Sequence, residues 1–189
     1  FWAGNDPLEA ADILRQRILV QVALDRDQSL HGIFSESEVP PSYPAYVAYV
    51  EGFRRFARGD FRGAATRLLE ANQISPTFTS PLVIAGFALI QGWGDFVAAD
   101  SVARIVEASR ERLPRYDRLR LDLLQATLVG DHARAYEAVK EATLILPGGT
   151  AHYAWGQKAL ELNRPREDLE SLRPCVLPRE GAHVWMTYL

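Results

Sequence analysis

An all-α fold of stacked helical hairpins is what this sequence predicts, on three observations. Apolar residues recur at helical spacing, as in Phe61, Ala64, Ala65, Leu68, Leu69 and Ala71 after Asp60. The same spacing returns in Ala135, Tyr136, Val139, Ala142 and Ile145 after Asp131. No sustained alternating run of β-branched residues argues for a strand. The third observation is a repeated mark: Gly-Asp stands at Gly59-Asp60, Gly94-Asp95 and Gly130-Asp131, 35 and 36 residues apart. Asn163 follows 33 residues later, and Asn is the usual substitute for Gly in a left-handed turn. Each unit closes on proline, at Pro76, Pro114, Pro147 and Pro174.

Composition agrees with a folded domain. The chain has 189 residues, 48% hydrophobic and 24% charged, with a formal net charge of −3. That balance argues against a broad basic footprint for nucleic acid, so no direct nucleic-acid binding is expected. The apolar runs are short and interrupted, so no membrane span is predicted. A single cysteine, Cys175, excludes an internal disulfide framework. Arg outnumbers Lys 19 to 2, which points to a GC-rich bacterial genome. The chain opens on Phe1-Trp2-Ala3 and stops at Thr187-Tyr188-Leu189, and it reads as an excerpt of a longer or processed protein. Its location is left open, with the cytoplasm favoured.

Taken in order, Asp6-Pro7 supplies a cap and a first-turn proline for a helix running to about Leu24. Ile13, Leu14, Ile18, Val22 and Leu24 form its expected apolar face. Residues 25 to 44 hold Gly32, Pro40, Pro41 and Pro44 and read as a linker with one short helical turn. Residues 1–44 are therefore a packing helix plus linker, and 45–189 the repeat array. Its units are 45–78, 79–115, 116–148 and 149–178, with a further one starting at 179–189. From turn mark to proline the first and third units take 17 residues and the second takes 20. The extra residues predict a second helix about one turn longer in unit two. Asp60, Asp95 and Asp131 are placed to cap the second helices.

The units resemble tetratricopeptide (TPR) repeats, whose period is about 34 residues. The resemblance rests on Gly52, Ala64, Leu68, Ala71 and Pro76 in the first unit, then Gly86 and Ala99 in the second. Ala135, Val139, Ala142 and Pro147 carry it in the third, and Gly156 in the fourth, where Pro165 clips the second helix. It implies a right-handed α-solenoid of about four hairpins, stabilised by stacking. Glu51 and Arg55 stand where the family usually has apolar residues, and their spacing permits a surface ion pair. Pro7-Leu8-Glu9-Ala10, Pro40-Pro41-Ser42-Tyr43 and Gly59-Asp60-Phe61 are similar to TPR regions of bacterial regulators that also carry a kinase-like or DNA-binding domain.

No motif for catalysis emerges. His31, His132, His152 and His183 form no i,i+4 pair and are expected at the surface or as caps. Cys175 lacks a sequence neighbour that would activate it. Gly148-Gly149 is a hinge rather than a phosphate loop, and no Gly-x-Ser-x-Gly elbow exists. Glu36 and Glu38 are expected to be solvated. The arginines from Arg110 to Arg120 are interleaved with Glu107, Glu111, Asp117 and Asp122, a solvated helix end.

The informative feature is an aromatic stripe. By the resemblance, first helices line a concave face, on which unit one places Tyr46, Tyr49 and Phe53. Unit two places Ser80, Val83 and Phe87 there, and unit three Asp117, Arg120 and Leu124. Unit four adds Thr150, Tyr153 and Gln157. The expected function is protein–protein interaction: a scaffold or sensing region of a larger bacterial signalling protein. It would hold a peptide or partner helix in a partly aromatic groove, without cofactor, metal or catalysis. The alternative is a small-ligand sensor whose pocket is closed by the linker. Core burial of the stripe under residues 1–44 is the competing expectation.

Overall fold

The computed structural model describes residues 7–26, 37–147 and 150–173. Of these, 82% are helical and none forms a strand. Helix α1 spans Pro7–Arg26. The array follows as α2 (Tyr43–Ala57), α3 (Phe61–Ile74), α4 (Ser80–Trp93), α5 (Phe96–Glu107), α6 (Arg115–Val129), α7 (His132–Ile145), α8 (Thr150–Glu161) and α9 (Pro165–Leu172). The expectations for Asp6, Glu36, Cys175, the hinge glycines and the unit starting at 179 fall outside the described residues.

The predicted marks are where the chain reverses. Gly59, Gly94 and Gly130 have φ of 79°, 66° and 72°, and Asn163 has 58°. These values suit Gly and tolerate Asn. Immediately after three of them, the carboxylates of Asp60, Asp95 and Asp131 accept hydrogen bonds from the backbone N–H of Gly63 (3.0 Å), Ala98 (2.9 Å) and Arg134 (3.0 Å). Each satisfies a donor that the start of an α-helix leaves open.

The helices then pair as α2·α3, α4·α5, α6·α7 and α8·α9, and each second helix also packs on the next first helix. Close approach requires small residues. A Cβ on Gly52 would lie 2.7 Å from Leu68 Cγ, and one on Gly86 would lie 2.5 Å from Leu124 Cδ2. The first contact closes a hairpin. The second joins α4 to α6, across two hairpins. Burial does the rest: one core holds Tyr49, Leu68, Phe78, Val83, Val106 and Leu124, and a second gathers residues of α6, α7 and α8. Each buried Val or Leu contributes about 1.5–3 kcal/mol. Phe87 packs against both cores and so bridges them.

Two expectations are corrected. On α1, Ile13, Leu14, Ile18 and Val22 are exposed, whereas Val20 and Leu24 are buried. The helix touches the array along a narrower, rotated stripe, because α2 is its main neighbour there. In unit two, α5 is not longer. The extra residues form a short 3-10 turn, Arg110–Arg112, ahead of Pro114. Arg110 then donates two hydrogen bonds to Asp122 on α6, at 2.9 and 3.0 Å, which fixes that turn.

Candidate functional site

The first helices α2, α4 and α6 do share a face, since α4 touches both of the others. The stripe on it is mostly not a surface. Tyr46, Tyr49, Val83 and Leu124 are buried, Tyr49 completely. Their accessibility is therefore corrected: Tyr49 stacks on Phe53 with centroids 6.4 Å apart and tilts against Phe78 at 5.5 Å. Such contacts make core. Phe53 and Phe87 are partly buried. Arg120 keeps 15% of its side chain exposed. On α8, Tyr153 is half-buried and Gln157 is exposed, and Gln157 Nε2 donates to the Tyr153 hydroxyl at 3.1 Å.

At one end of the face a segment of the chain itself is held. Residues 37–40, non-helical ahead of α2, meet the N-terminal ends of α4 and α6. We call residues 37–41 the strap. Asp117 in the first turn of α6, 0% exposed, is its anchor. One carboxylate oxygen accepts from Ser37 Oγ (3.0 Å) and Arg120 Nη1 (3.1 Å). The other accepts from the Glu38 backbone N–H (2.8 Å) and from Ser80 Oγ. Glu38 returns the contact: Oε2 accepts from the backbone N–H of Thr79 (2.8 Å) and Ser80 (2.9 Å). It thereby caps α4, whose N-cap residue Thr79 makes no side-chain cap of its own.

Electrostatics follow from this burial. Desolvation pushes Glu38 above the ordinary carboxylate range, the Ser80 and Thr79 amides oppose it, and nearby Asp117 adds to it. Burial likewise pushes the Tyr49 phenol up to about 12, against the pull of Arg120. Arg120 loses hydration, but Tyr49, Asp117 and Tyr116 more than offset that, so its charge is held firmly. Its guanidinium also lies 5.6 Å from the Tyr116 ring centroid.

Glu38 is thus not the solvated linker acid that its neighbourhood suggested. No family model, curated protein or solved structure matches this chain. The arrangement must be read from its own chemistry. It holds one backbone N–H, through Asp117, together with an acidic side chain, through two helix-terminal amides. One signal for it was present in the sequence: Ser80 and Asp117 hold the same place in consecutive units, hence they are neighbours. Nothing in the sequence joined Ser37 or Glu38 to them.

The remaining candidates separate. His132 Nδ1 meets Glu161 at 2.7 Å on the surface. His152 is buried instead, edge-on to Trp155, because α8 turns that side toward the second core. Among the described residues no three His, Cys, Asp or Glu side chains converge to hold a metal. Nor is any described helix long and apolar enough to cross a membrane. The arginine stretch is not the solvated helix end expected throughout: Arg110 pairs with Glu107 and Asp122, and Arg115 with Glu141 on α7, but Arg120 pairs with the fully buried Asp117, because the stacked first helices close over that turn. Glu51 takes Arg55 and, from α3, Arg67, each at 2.8 Å.

Proposed function

We propose that this chain is a protein-interaction module, a TPR-like right-handed solenoid that holds a peptide or partner helix on the face of its first helices. One observation carries the reading: the N-terminal ends of α4 and α6, at the edge of that face, already hold a non-helical chain segment by backbone and carboxylate hydrogen bonds at Asp117, Thr79 and Ser80. Phe53, Phe87, Arg120, Tyr153 and Gln157 supply the side chains left partly accessible on it, with aromatic and Arg anchors of the kind that dominate binding energy. A scaffold or sensing region within a bacterial signalling protein is the role this suits. The test is site-specific photo-crosslinking. A reactive group at Gln157 should give a discrete protein adduct, and one at Val97, 80% exposed on α5, should not. Equal labelling at both positions defeats the reading.

A second reading, a small-ligand sensor, is favoured by one cavity of about 210 Å³ beside the strap. Native mass spectrometry showing a retained small molecule, displaced on unfolding, would select it over peptide binding.

A further inference from the structure

We propose that α1 pairs antiparallel with α1 of a second copy of this chain, the two-fold axis passing at Ile18. The surface is a different one from the face of the first helices, and the inference does not depend on the interaction reading above. From Leu8 to Leu19 no described side chain of α1 is buried, and Leu8, Ile13, Leu14, Ile18 and Leu19 are all exposed. An isolated helix of this length is marginal in water, and most helices draw their stability from a packed face. The array supplies such a face only along the second half, where Val20, Ala23 and Leu24 meet the core and the Tyr43 N–H donates to Gln16 at 3.1 Å. On the other side Ala11, Leu14, Ile18 and Val22 follow one another at helical spacing as one continuous stripe. Leu14, Ile18 and Val22 are 59%, 53% and 44% exposed. Single exposed apolar residues need no explanation, but a row of this kind marks an interaction surface.

Charge selects a second copy as the occupant. Helical geometry puts Asp12, Arg15 and Arg26 on one flank of the stripe, the acid near its start and a base at its end. With the axis at Ile18, Leu14 meets Val22 of the second copy, and like flanks face each other. Arg26 of the second copy then stands two residues from the level of Asp12, about 3 Å along the axis. Asp25 of the second copy comes within about one turn of Arg15. The symmetry makes each of these contacts twice. A parallel pair in register would instead set every charge level with its own like, which is repulsive. Val20 and Leu24 lie on the far side of the helix from Ile18, so the two arrays hang on the outside of the pair and do not compete for the stripe. One helix face falls short of a standard interface of about 1,600 Å². The dimer therefore forms in the upper micromolar range, and unfolding measured at dilution reports the single copy.

The test is sedimentation equilibrium of this chain from low micromolar to several hundred micromolar concentration. The unaltered chain should pass from single copies to dimers and go no further. Ile18→Glu, which sets two acids on the axis, should abolish the dimer and leave the circular dichroism spectrum unchanged. Leu144→Glu, at an exposed apolar residue of α7, should leave the dimer intact. Arg26→Glu should weaken association several-fold, and adding Asp12→Arg should restore most of it, an exchange from which a parallel pair would gain nothing. If Ile18→Glu loses helix, the Arg26→Glu loss and its rescue decide. A chain that stays single throughout overturns the proposal and leaves the stripe to a different protein. A dimer that Ile18→Glu leaves intact, or one that the double exchange does not restore, overturns it as well. Adducts at Gln157 on α8 should be the same in all these variants, so the interaction reading stands or falls separately.

Discussion

Helix α1 and the strap both precede the hairpins, and they are held to them in opposite ways. The 20-residue α1 has abundant apolar residues, yet Leu14, Ile18 and Val22 face outward, and it is held mainly by the burial of Val20 and Leu24, with Ala23 beside them and one hydrogen bond from the Tyr43 N–H to Gln16. The strap is a few residues long and is fixed by four polar contacts to Asp117, Thr79 and Ser80. Length and apolar content therefore do not rank the two attachments. Non-directional burial tolerates a rotated, narrow contact, whereas hydrogen bonds to a buried carboxylate permit one geometry.

The sharpest way to break this contrast is Asp117→Ala. Removing a fully buried carboxylate leaves Arg120 uncompensated and strands Ser37, Ser80 and the Glu38 N–H. Losing one member of such a buried pair costs about 3–5 kcal/mol, measured as a fall in the urea midpoint at unchanged slope. A loss below about 1 kcal/mol would mean that the strap node is not a buried ionic anchor. Next in size is Leu24→Ala, expected to cost about 2 kcal/mol or more, since this is one of the buried apolar residues by which α1 meets the core. No change there would show α1 to be detached in solution.

Acid titration sharpens the strap side. With Glu38 raised above its ordinary value of 4.5, the native state keeps the proton to higher pH than the unfolded chain does. Its contribution is complete below that ordinary value and declines as pH rises through the raised one. Stability measured across this window should fall less steeply in Glu38→Gln than in the parent. An identical pH slope would place Glu38 in solvent. The smallest effect belongs to α1: Leu14→Ser with Ile18→Ser should change stability by within about 0.5 kcal/mol, as for exposed positions generally. A drop of several times that would reveal a packed outer face.

Much of the array was legible. Gly59, Gly94, Gly130 and Asn163 mark turns because positive φ selects residue type locally. Asp60, Asp95 and Asp131 act as caps because a cap bonds within three residues. Gly52 was legible as part of the repeat pattern, and its small size is what the approach of Leu68 in its own hairpin requires. The candidate groove was less so. Tyr49 and Leu124 have the spacing of an inward row, but a row facing solvent and a row facing a neighbouring helix share one period. Unit two shows the same limit. Three extra residues predict a longer helix by spacing, and a side chain on the next helix, Asp122, turned them into a 3-10 loop.

The sequence by itself determined the helical class, the reversal points, the caps and the pairing of neighbours, all set by interactions spanning a few residues. Only the tertiary structure decided which face of each helix met water, and that Glu38 would lie against Ser80, 42 residues on, and Ser37 against Asp117, 80 residues on. The physical reason is range. Backbone conformation and capping are fixed by local sterics and hydrogen bonds, but the burial of a carboxylate depends on which donors the completed stack brings to it.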